Sequence, residues 1–326
     1  MRGSYYIKIR NRHIAYDLVI ERNITIIKGD SGTGKTNLIK MLRSYLDRGN
    51  SSGIKVSTNI KSYEVLEIRT DWRSVLSDNP DTIYFADEGI DYVLTNEFYD
   101  LLCSTGSYLV CINRSGLTGY LQYSISSIVG LEVRNKSSLY TNTFYKIYQD
   151  TPINFKPDLI LTEDSTSGLD MLRNSLTVNV ESSYGKDNMV KTLEVYKHIR
   201  NIYIIVDGAA FGNQIQKLLS KIKSLSSCNI FIFAPESFEW LILNTSKFKI
   251  YCQDELNNTS NYVEPSLYKT WENYYEALLI NLCKHYNHVK YEKASWDDLN
   301  PFFKNINLLK ELVSQLTDLD DSIKLN

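Results

Sequence analysis

One stretch, residues 24–39 (ITIIKGDSGTGKTNLI), constrains the fold of this chain more than any other. Four strand-forming residues lead into a glycine-rich loop, and apolar residues then recur at three- and four-residue intervals: Leu38, Ile39, Met41, Leu42, Tyr45 and Leu46. This order predicts a buried strand, a tight loop and a helix with one buried face. Residues 29–36 of the loop fit the pattern G-x-x-x-x-G-K-[ST] without departure.

A loop of this composition is suited to hold the phosphates of a nucleotide. Glycines let the backbone curl so that successive N–H groups point inward, and the following helix presents its positive N-terminal end. Lys35 is expected to neutralise the β and γ phosphates and so to act in catalysis, while the Thr36 hydroxyl is expected to ligate Mg²⁺. The predicted nucleotide-binding residues of the loop are Gly29, Asp30, Ser31, Gly32, Thr33, Gly34, Lys35 and Thr36.

Two further strand ends carry residues that a hydrolytic nucleotide site needs. In IYFADE, residues 83–88, an apolar strand ends in Asp87, predicted to support Mg²⁺, and Glu88, predicted to act on the attacking water. Asn113 ends the next apolar strand, SYLVCINR. It is either a binding residue that senses the γ-phosphate or an ordinary polar strand terminus, and the sequence leaves both interpretations open.

Together these motifs resemble the P-loop NTPases that have an extra strand between the two Walker motifs, the group that contains the ABC-type ATPases. The resemblance covers about residues 5–148, and it implies a P-loop domain with a parallel sheet, ATP and Mg²⁺ as cofactors, and ATP hydrolysis. The sequence has no N-K-x-D guanine-reading motif, which favours ATP over GTP. It also has no LSGGQ-type signature, which argues against a head-to-tail ATP sandwich and predicts slow turnover without a partner.

The second half alternates strand and helix again, and acidic residues follow three of its four predicted strands. Because the carboxyl ends of parallel strands meet at one edge of a sheet, Glu163, Asp207 and Glu236 are candidate ligands for Mg²⁺ or Mn²⁺. The alternative is that these strand ends are simply polar and solvated.

A glutamate after one strand and an aspartate two strands later resemble the Toprim domain of topoisomerases, primases and the ATP-linked nucleases of phage defence. The resemblance covers about residues 157–245 and implies that Glu163 and Asp207 are metal carboxylates. Ala209 departs from the D-x-D pattern of that family, which implies weaker metal binding. The segments TEDSTSG, VDGAAFG and PESFEWLIL are also similar to ATP-binding proteins of low-GC Gram-positive bacteria and their mobile elements.

The composition is that of an ordinary globular protein, with 43% hydrophobic and 23% charged residues and a net charge of −2. That charge gives no overall footprint for nucleic acid, although a local basic groove could be hidden by acidic surface elsewhere. Five scattered cysteines without a CxxC pair favour a reducing compartment, and no apolar run reaches the ~20 residues of a membrane helix. We therefore expect a cytoplasmic protein that does not bind membranes.

These features predict an α/β chain in three parts: a P-loop NTPase domain at 1–150, a Toprim-like α/β domain at 151–262 and a helical region at 263–326. The predicted function is an ATP-binding and ATP-hydrolysing switch whose nucleotide state controls the second domain or a partner. The alternative is an ATP-regulated, metal-dependent nuclease effector of the Toprim type, acting in phage defence. The expected partners are ATP, a nucleic acid or another protein, and further copies of the chain in a homo-oligomer.

Overall fold

The computed structural model describes residues 1–29, 33–113, 121–136, 139–148, 155–286, 291, 297 and 299–316. Contacts between Cα atoms divide the chain into two compact units, residues 1–148 with 258–269 and residues 149–257 with 270–326. Each unit has its own β-sheet with helices, so the chain belongs to the α/β class, as the sequence predicts. The finer division at residues 150 and 262 stays a prediction.

One large sheet organises the first unit. Its strands are β1 (Tyr5–Arg10), β2 (Ile14–Ile20), β3 (Ile24–Ile27), β4 (Lys55–Thr58), β5 (Tyr63–Val65), β6 (Ile83–Ala86), β7 (Tyr108–Ile112), β8 (Ile128–Lys136) and β9 (Leu139–Lys146). Among the described residues these nine strands lie in the order β4-β1-β2-β9-β8-β3-β7-β6-β5. Strands β8, β3, β7, β6 and β5 pair in parallel, each with its neighbour.

The prediction of a parallel sheet is wrong for the other part of this unit, where the sheet is mixed. Strand β1 pairs antiparallel with β2 and with β4, and β8 pairs antiparallel with β9. Short connections join β1 to β2 and β8 to β9, and a short connection allows only antiparallel pairing. Strand β2 then pairs in parallel with β9, which joins the antiparallel part to the rest of the sheet.

The helices of the first unit are α1 (Lys35–Arg48), α2 (Trp72–Asp78) and α3 (Asn96–Ser104), as far as the described residues go. The apolar face of α1 is buried against the sheet, where Leu38 and Leu42 are fully buried in a cluster with Ile7 and Val110. Leu46 lies outside this face and is 41% exposed, which corrects the predicted stripe at its last position. The helix ends before Gly49, which has a positive φ of 53°.

The second unit has a sheet of four parallel strands, which are β10 (Leu159–Thr162), β11 (Asn179–Ser182), β12 (Asn201–Ile205) and β13 (Asn229–Phe233). Their order is β11-β10-β12-β13. The described helices are α4 (Ser167–Ser175), α5 (Met189–Val195), α6 (Gly212–Ser224), α7 (Phe238–Leu243), α8 (Ser246–Asn257), α9 (Trp271–Tyr286), α10 (Asn300–Phe303) and α11 (Ile306–Ser314). Because all four strands run the same way, their carboxyl ends share one edge. Across the helices described, none is both long and apolar enough to cross a membrane.

Candidate functional site

The glycine-rich loop lies between the end of β3 and the start of α1, as the sequence predicts. Gly29 and Gly34 both have positive φ, 137° and 85°, a backbone conformation that side chains with a Cβ rarely adopt. A Cβ on Gly34 would also lie 3.0 Å from the hydroxyl of Tyr16. Position 34 therefore favours glycine for two reasons, the positive φ and the lack of space for a Cβ beside Tyr16. The loop residues Asp30, Ser31 and Gly32 lie outside the described residues.

Lys35 is folded back over the loop and is almost completely buried, with 5% of its surface exposed. Its Nζ donates hydrogen bonds to the backbone oxygen of Gly29 at 2.7 Å and to Thr33 Oγ1 at 2.9 Å. The ammonium thus contacts Gly29 and Thr33 instead of extending into solvent. Thr36 follows in the first turn of α1 and is exposed, so its hydroxyl is accessible to a ligand.

Tyr16 of β2 supports this loop, a role that was not predicted from the sequence. Its hydroxyl donates to the backbone oxygen of Gly34 at 2.7 Å, and Asn37 Nδ2 donates to the same hydroxyl at 3.3 Å. Burial raises the pKa of Tyr16, so the hydroxyl keeps its proton as a donor. The alternation of residues along β2 predicts that Tyr16 is buried. A buried tyrosine hydroxyl needs a hydrogen-bond partner, and this requirement could have indicated the contact.

Asp87 and Glu88 follow β6 at the same sheet edge as the loop. Strand β7 lies between β3 and β6, and all three are parallel, so their carboxyl ends point the same way. Asp87 is half-buried and its Oδ1 accepts a hydrogen bond from the Glu88 backbone N–H at 2.8 Å. Both carboxylates line a cleft of about 430 Å³ together with α1 residues Ile39, Lys40 and Arg43 and the turn at residues 66–69.

Asn113 ends β7, directly beside the strand that leads into the loop. Its backbone N–H donates to the oxygen of Ile27 at 3.3 Å. Its side-chain Oδ1 is buried and has no hydrogen-bond partner within the described part of the chain. An unpaired buried polar atom is destabilising by about 1–3 kcal/mol, so this amide is available to a group from outside the protein.

In the second unit the structure brings Glu163 and Asp207 together but not Glu236. The carboxylates that follow β10 and β12 line one small cavity of about 20 Å³, whereas Glu236 lies outside it. Asp207 N–H donates to Glu163 Oε1, and Asp207 Oδ1 accepts from the Phe238 backbone N–H at 3.2 Å. Backbone donors therefore hold the two carboxylates from within the fold.

Burial dominates the electrostatics of this pair. It raises the pKa of Glu163 to about 8, although the hydrogen bond from the Asp207 N–H and the charge of Lys186 act in the opposite direction. Burial, followed by repulsion from Glu272 and Glu163, raises the pKa of Asp207 well above its ordinary value. Lys186 donates to the Ala210 backbone oxygen at 3.1 Å, and burial lowers its pKa while these acids raise it.

The volume of the cavity beside Glu163 and Asp207 is too small for a hydrated divalent cation. Mg²⁺ demands octahedral geometry and usually keeps several of its waters. A volume of about 20 Å³ holds about one water molecule. Among the residues that the structure describes, no group of three or more His, Cys, Asp or Glu side chains is arranged to hold a metal ion.

The neighbouring acids are also committed to other contacts. Asp164 accepts three hydrogen bonds, from the N–H and Oγ1 of Thr166 at 2.9 Å each and from the Gly168 N–H at 2.6 Å. Ala209 stands where the Toprim pattern has an acid. Its backbone N–H donates to the backbone oxygen of Glu236 at 3.0 Å, and its side chain offers no ligand. The prediction of a metal in this crevice therefore has no support from its geometry.

Comparison with known proteins adds no further guide to the site. No protein-family model matches the chain, and no curated protein or solved structure matches it either. The function must therefore be argued from the residues and their arrangement.

Replacing Gly34 by Ala should destabilise the protein more than replacing Gly53 by Ala. The two glycines have similar left-handed geometry, with φ and ψ of 85° and 1° at Gly34 and of 71° and 9° at Gly53. A Cβ on Gly53 meets nothing within 4 Å, so Gly53→Ala reports backbone strain alone, about 1 kcal/mol. Gly34→Ala adds the contact with Tyr16 and should lower the free energy of unfolding by at least ~1 kcal/mol more. Equal losses in chemical denaturation would contradict this assignment.

Replacing Glu163 by Gln should flatten the pH dependence of stability. A carboxyl group whose pKa is higher in the folded state favours folding below its unfolded pKa, and this contribution is lost as pH rises through the folded value. As pH rises from about 5 to 8, wild type loses this contribution and Glu163→Gln does not. The stability of the variant minus that of wild type should therefore increase by at least ~1 kcal/mol over this range. The groups that face Glu163 and Asp207 are Asp164, Lys186, Glu239 and Glu272.

The matched control is Glu181→Gln, because Glu181 lies at the surface with its carboxylate 3.1 Å from Arg173. Denaturation curves at several pH values should show no comparable trend for this variant. A flat difference between Glu163→Gln and wild type would show that Glu163 is ionised in the folded protein at neutral pH.

Proposed function

We propose that the chain is an ATP-binding and ATP-hydrolysing switch whose nucleotide site is the loop between β3 and α1. The observation that carries this proposal is the buried ammonium of Lys35, held inside a loop with two left-handed glycines by Gly29 and Thr33. A lysine buried in a glycine-rich loop at a helix N-terminus is suited to neutralise phosphate oxygens. The absence of a guanine-reading motif favours adenine.

The residues at this edge fit magnesium–ATP in their chemistry. Lys35 and the backbone N–H groups of the loop bind phosphate, and the exposed Thr36 hydroxyl and half-buried Asp87 carboxylate are hard oxygen ligands suited to Mg²⁺. A magnesium ion held there would neutralise charge that develops on the phosphates. Glu88 is exposed in the cleft, where its carboxylate can orient a water molecule and accept its proton.

Two further observations support a ligand at this position. The Tyr16 hydroxyl lies close beside Gly34, and its hydrogen bond to the Gly34 backbone oxygen fixes the loop on the sheet side. The buried amide oxygen of Asn113 lacks a protein partner among the described residues and lies at the end of the neighbouring strand. Because Oδ1 is an acceptor, Asn113 can orient a water molecule beside the terminal phosphate.

The second unit fits the role of a responding module better than that of a nuclease. Its paired carboxylates Glu163 and Asp207 are bound by backbone N–H groups around a cavity of about 20 Å³. A scissile phosphate with a metal ion needs an open, water-accessible site with free carboxylate oxygens. The nuclease alternative remains a prediction, and no feature of the crevice favours it.

Replacing Lys35 by Ala should abolish nucleotide binding without unfolding the protein. Loss of the charged hydrogen bonds to phosphate should raise the Kd for magnesium–ATP at least ~100-fold in isothermal titration calorimetry. Lys217→Ala is the matched control, since it removes the same charge from an exposed position of α6. Absence of binding heat for the wild-type protein at millimolar magnesium–ATP would refute the proposed function.

Replacing Glu88 by Gln should separate binding from hydrolysis. The amide cannot accept a proton from water, so phosphate release should fall at least ~100-fold while the Kd for ATP stays within about twofold. Glu64→Gln, at an exposed position of β5, is the control for loss of a carboxylate. Hydrolysis by Glu88→Gln at the wild-type rate would assign the water-activating role to another residue.

A further inference from the structure

The antiparallel part of the first sheet has one face turned away from the buried core. Residues that pair across strands share a face, and alternate residues point to opposite faces. Ile7, Ile9, Tyr16 and Leu18 point into the core with α1. The residues on the opposite face are Tyr6, Lys8 and Arg10 of β1, Ala15, Asp17 and Val19 of β2, Lys55 and Ser57 of β4, and Thr141, Thr143 and Tyr145 of β9. We call this set the outer face.

A groove of about 500 Å³ crosses the outer face. Its floor includes the small side chains of Ala15 and Thr141, which are register partners on adjacent strands. Its sides carry the exposed cations Lys8, Arg10 and Lys55. Small residues in the middle and long basic residues around them give the groove its depth and its charge.

Two of the cations lie directly opposite each other on adjacent strands. Arg10 and Lys55 are register partners on β1 and β4, and like charges directly opposite each other are destabilising. Lys8 differs, because its Nζ lies 3.0 Å from Asp17 Oδ2. Within the described part of the chain neither Arg10 nor Lys55 forms an ion pair or side-chain hydrogen bond. An anionic partner between them would turn this repulsion into attraction.

Two exposed aromatic rings lie on the same face. Tyr6 is 39% exposed on β1, and Tyr145 is 42% exposed on β9. The ring of Tyr145 covers Gly130 of β8, since a Cβ built on Gly130 would lie 2.3 Å from its ring atoms. A ring that lies flat on the sheet offers its other face to a planar group, as aromatic residues do when they stack on nucleobases.

The distance between Tyr6 and Arg10 sets the minimum length of a ligand that contacts both. Tyr6 and Arg10 are four positions apart on β1, which spans about 13 Å. A single phosphate or a nucleotide cannot occupy the cation pair and the aromatic rings together, whereas a strand of several nucleotides can. The acidic side chains of a peptide would satisfy Arg10 and Lys55 but have no aromatic ring to stack on Tyr6 and Tyr145.

We propose that the outer face binds single-stranded nucleic acid, with phosphates at Arg10 and Lys55 and bases stacked on Tyr6 and Tyr145. This surface is a binding site whether or not the loop binds ATP. Its coupling to the loop rests on the proposed function. Strand β2 forms part of the groove with Ala15 and Asp17, and on its opposite face the Tyr16 hydroxyl donates to the Gly34 backbone oxygen. The net charge of −2 hides this local basic groove.

The test is fluorescence anisotropy with a labelled oligothymidylate of about 20 nucleotides, without ATP, over a range of salt concentrations. Arg10→Ala combined with Lys55→Ala should weaken binding at least ~10-fold, and loss of two phosphate contacts should reduce the slope of log K against log salt by about 1.4. Tyr6→Leu should weaken binding about fivefold or more with an unchanged slope, because stacking is lost and charge is kept. Thermal unfolding verifies that each variant is folded.

The matched control is Lys217→Ala combined with Lys223→Ala, which removes two exposed cations from α6 in the other unit. Binding by this control should equal that of wild type. The proposal is overturned if the Arg10 and Lys55 variant also binds as wild type does, or if wild type does not bind at low salt. Equal or tighter binding of a duplex or of polyglutamate of matched charge would overturn it in favour of that partner.

The Lys35→Ala variant separates this surface from the nucleotide site. It should bind the oligonucleotide with wild-type affinity in the absence of ATP, because Lys35 begins α1, which packs on the core face of the sheet. If the wild-type protein bound the oligonucleotide but not magnesium–ATP, the surface assignment would stand and the proposed function would be refuted. ATP binding by the wild-type protein without oligonucleotide binding would refute only the proposal for the outer face.

Discussion

The left-handed turn at Gly34 is the constraint on which the first unit depends. It lets β3 pass into α1 within a few residues, and it directs the backbone oxygen of Gly34 to the hydroxyl of Tyr16. That hydrogen bond connects the loop to β2, so the antiparallel part of the sheet also contacts the loop that the parallel strands carry. Lys35 then packs inside a loop whose two ends are both fixed.

The sequence predicted the elements whose signals are local and left out those that depend on distant partners. The loop, the buried strand before Asp87 and the strand–helix alternation of the second unit follow from patterns a few residues long. Strand β4 and helix α2 were not anticipated, because KVST is half exposed and WRSVLSD is short. The mixed sheet was missed because the partners of an edge strand are not encoded near it in the sequence. The supporting role of Tyr16 was hidden for the same reason.

The acidic crevice of the second unit shows why carboxylates at strand ends are an ambiguous signal. Residue type and position suggested metal ligands, yet Asp164 caps the turn before α4 and Asp207 accepts from a backbone N–H of α7. Buried carboxylates need such donors, since an uncompensated charge away from water is strongly destabilising. Lys186 supplies the nearby positive charge from the fold itself. Only the surrounding backbone, which the sequence does not reveal, distinguishes a structural carboxylate from a catalytic one.

The parallel pairing of β2 with β9 has a consequence for the synthesis of the chain. Ile14 lies opposite Tyr140, so the edge of β2 stays open on the ribosome until the residues of β9 have emerged. An open strand edge pairs readily with other chains, and pairings between distant residues form slowly. The nascent chain is therefore most prone to aggregation during this interval, when a chaperone that covers the first two strands would matter most.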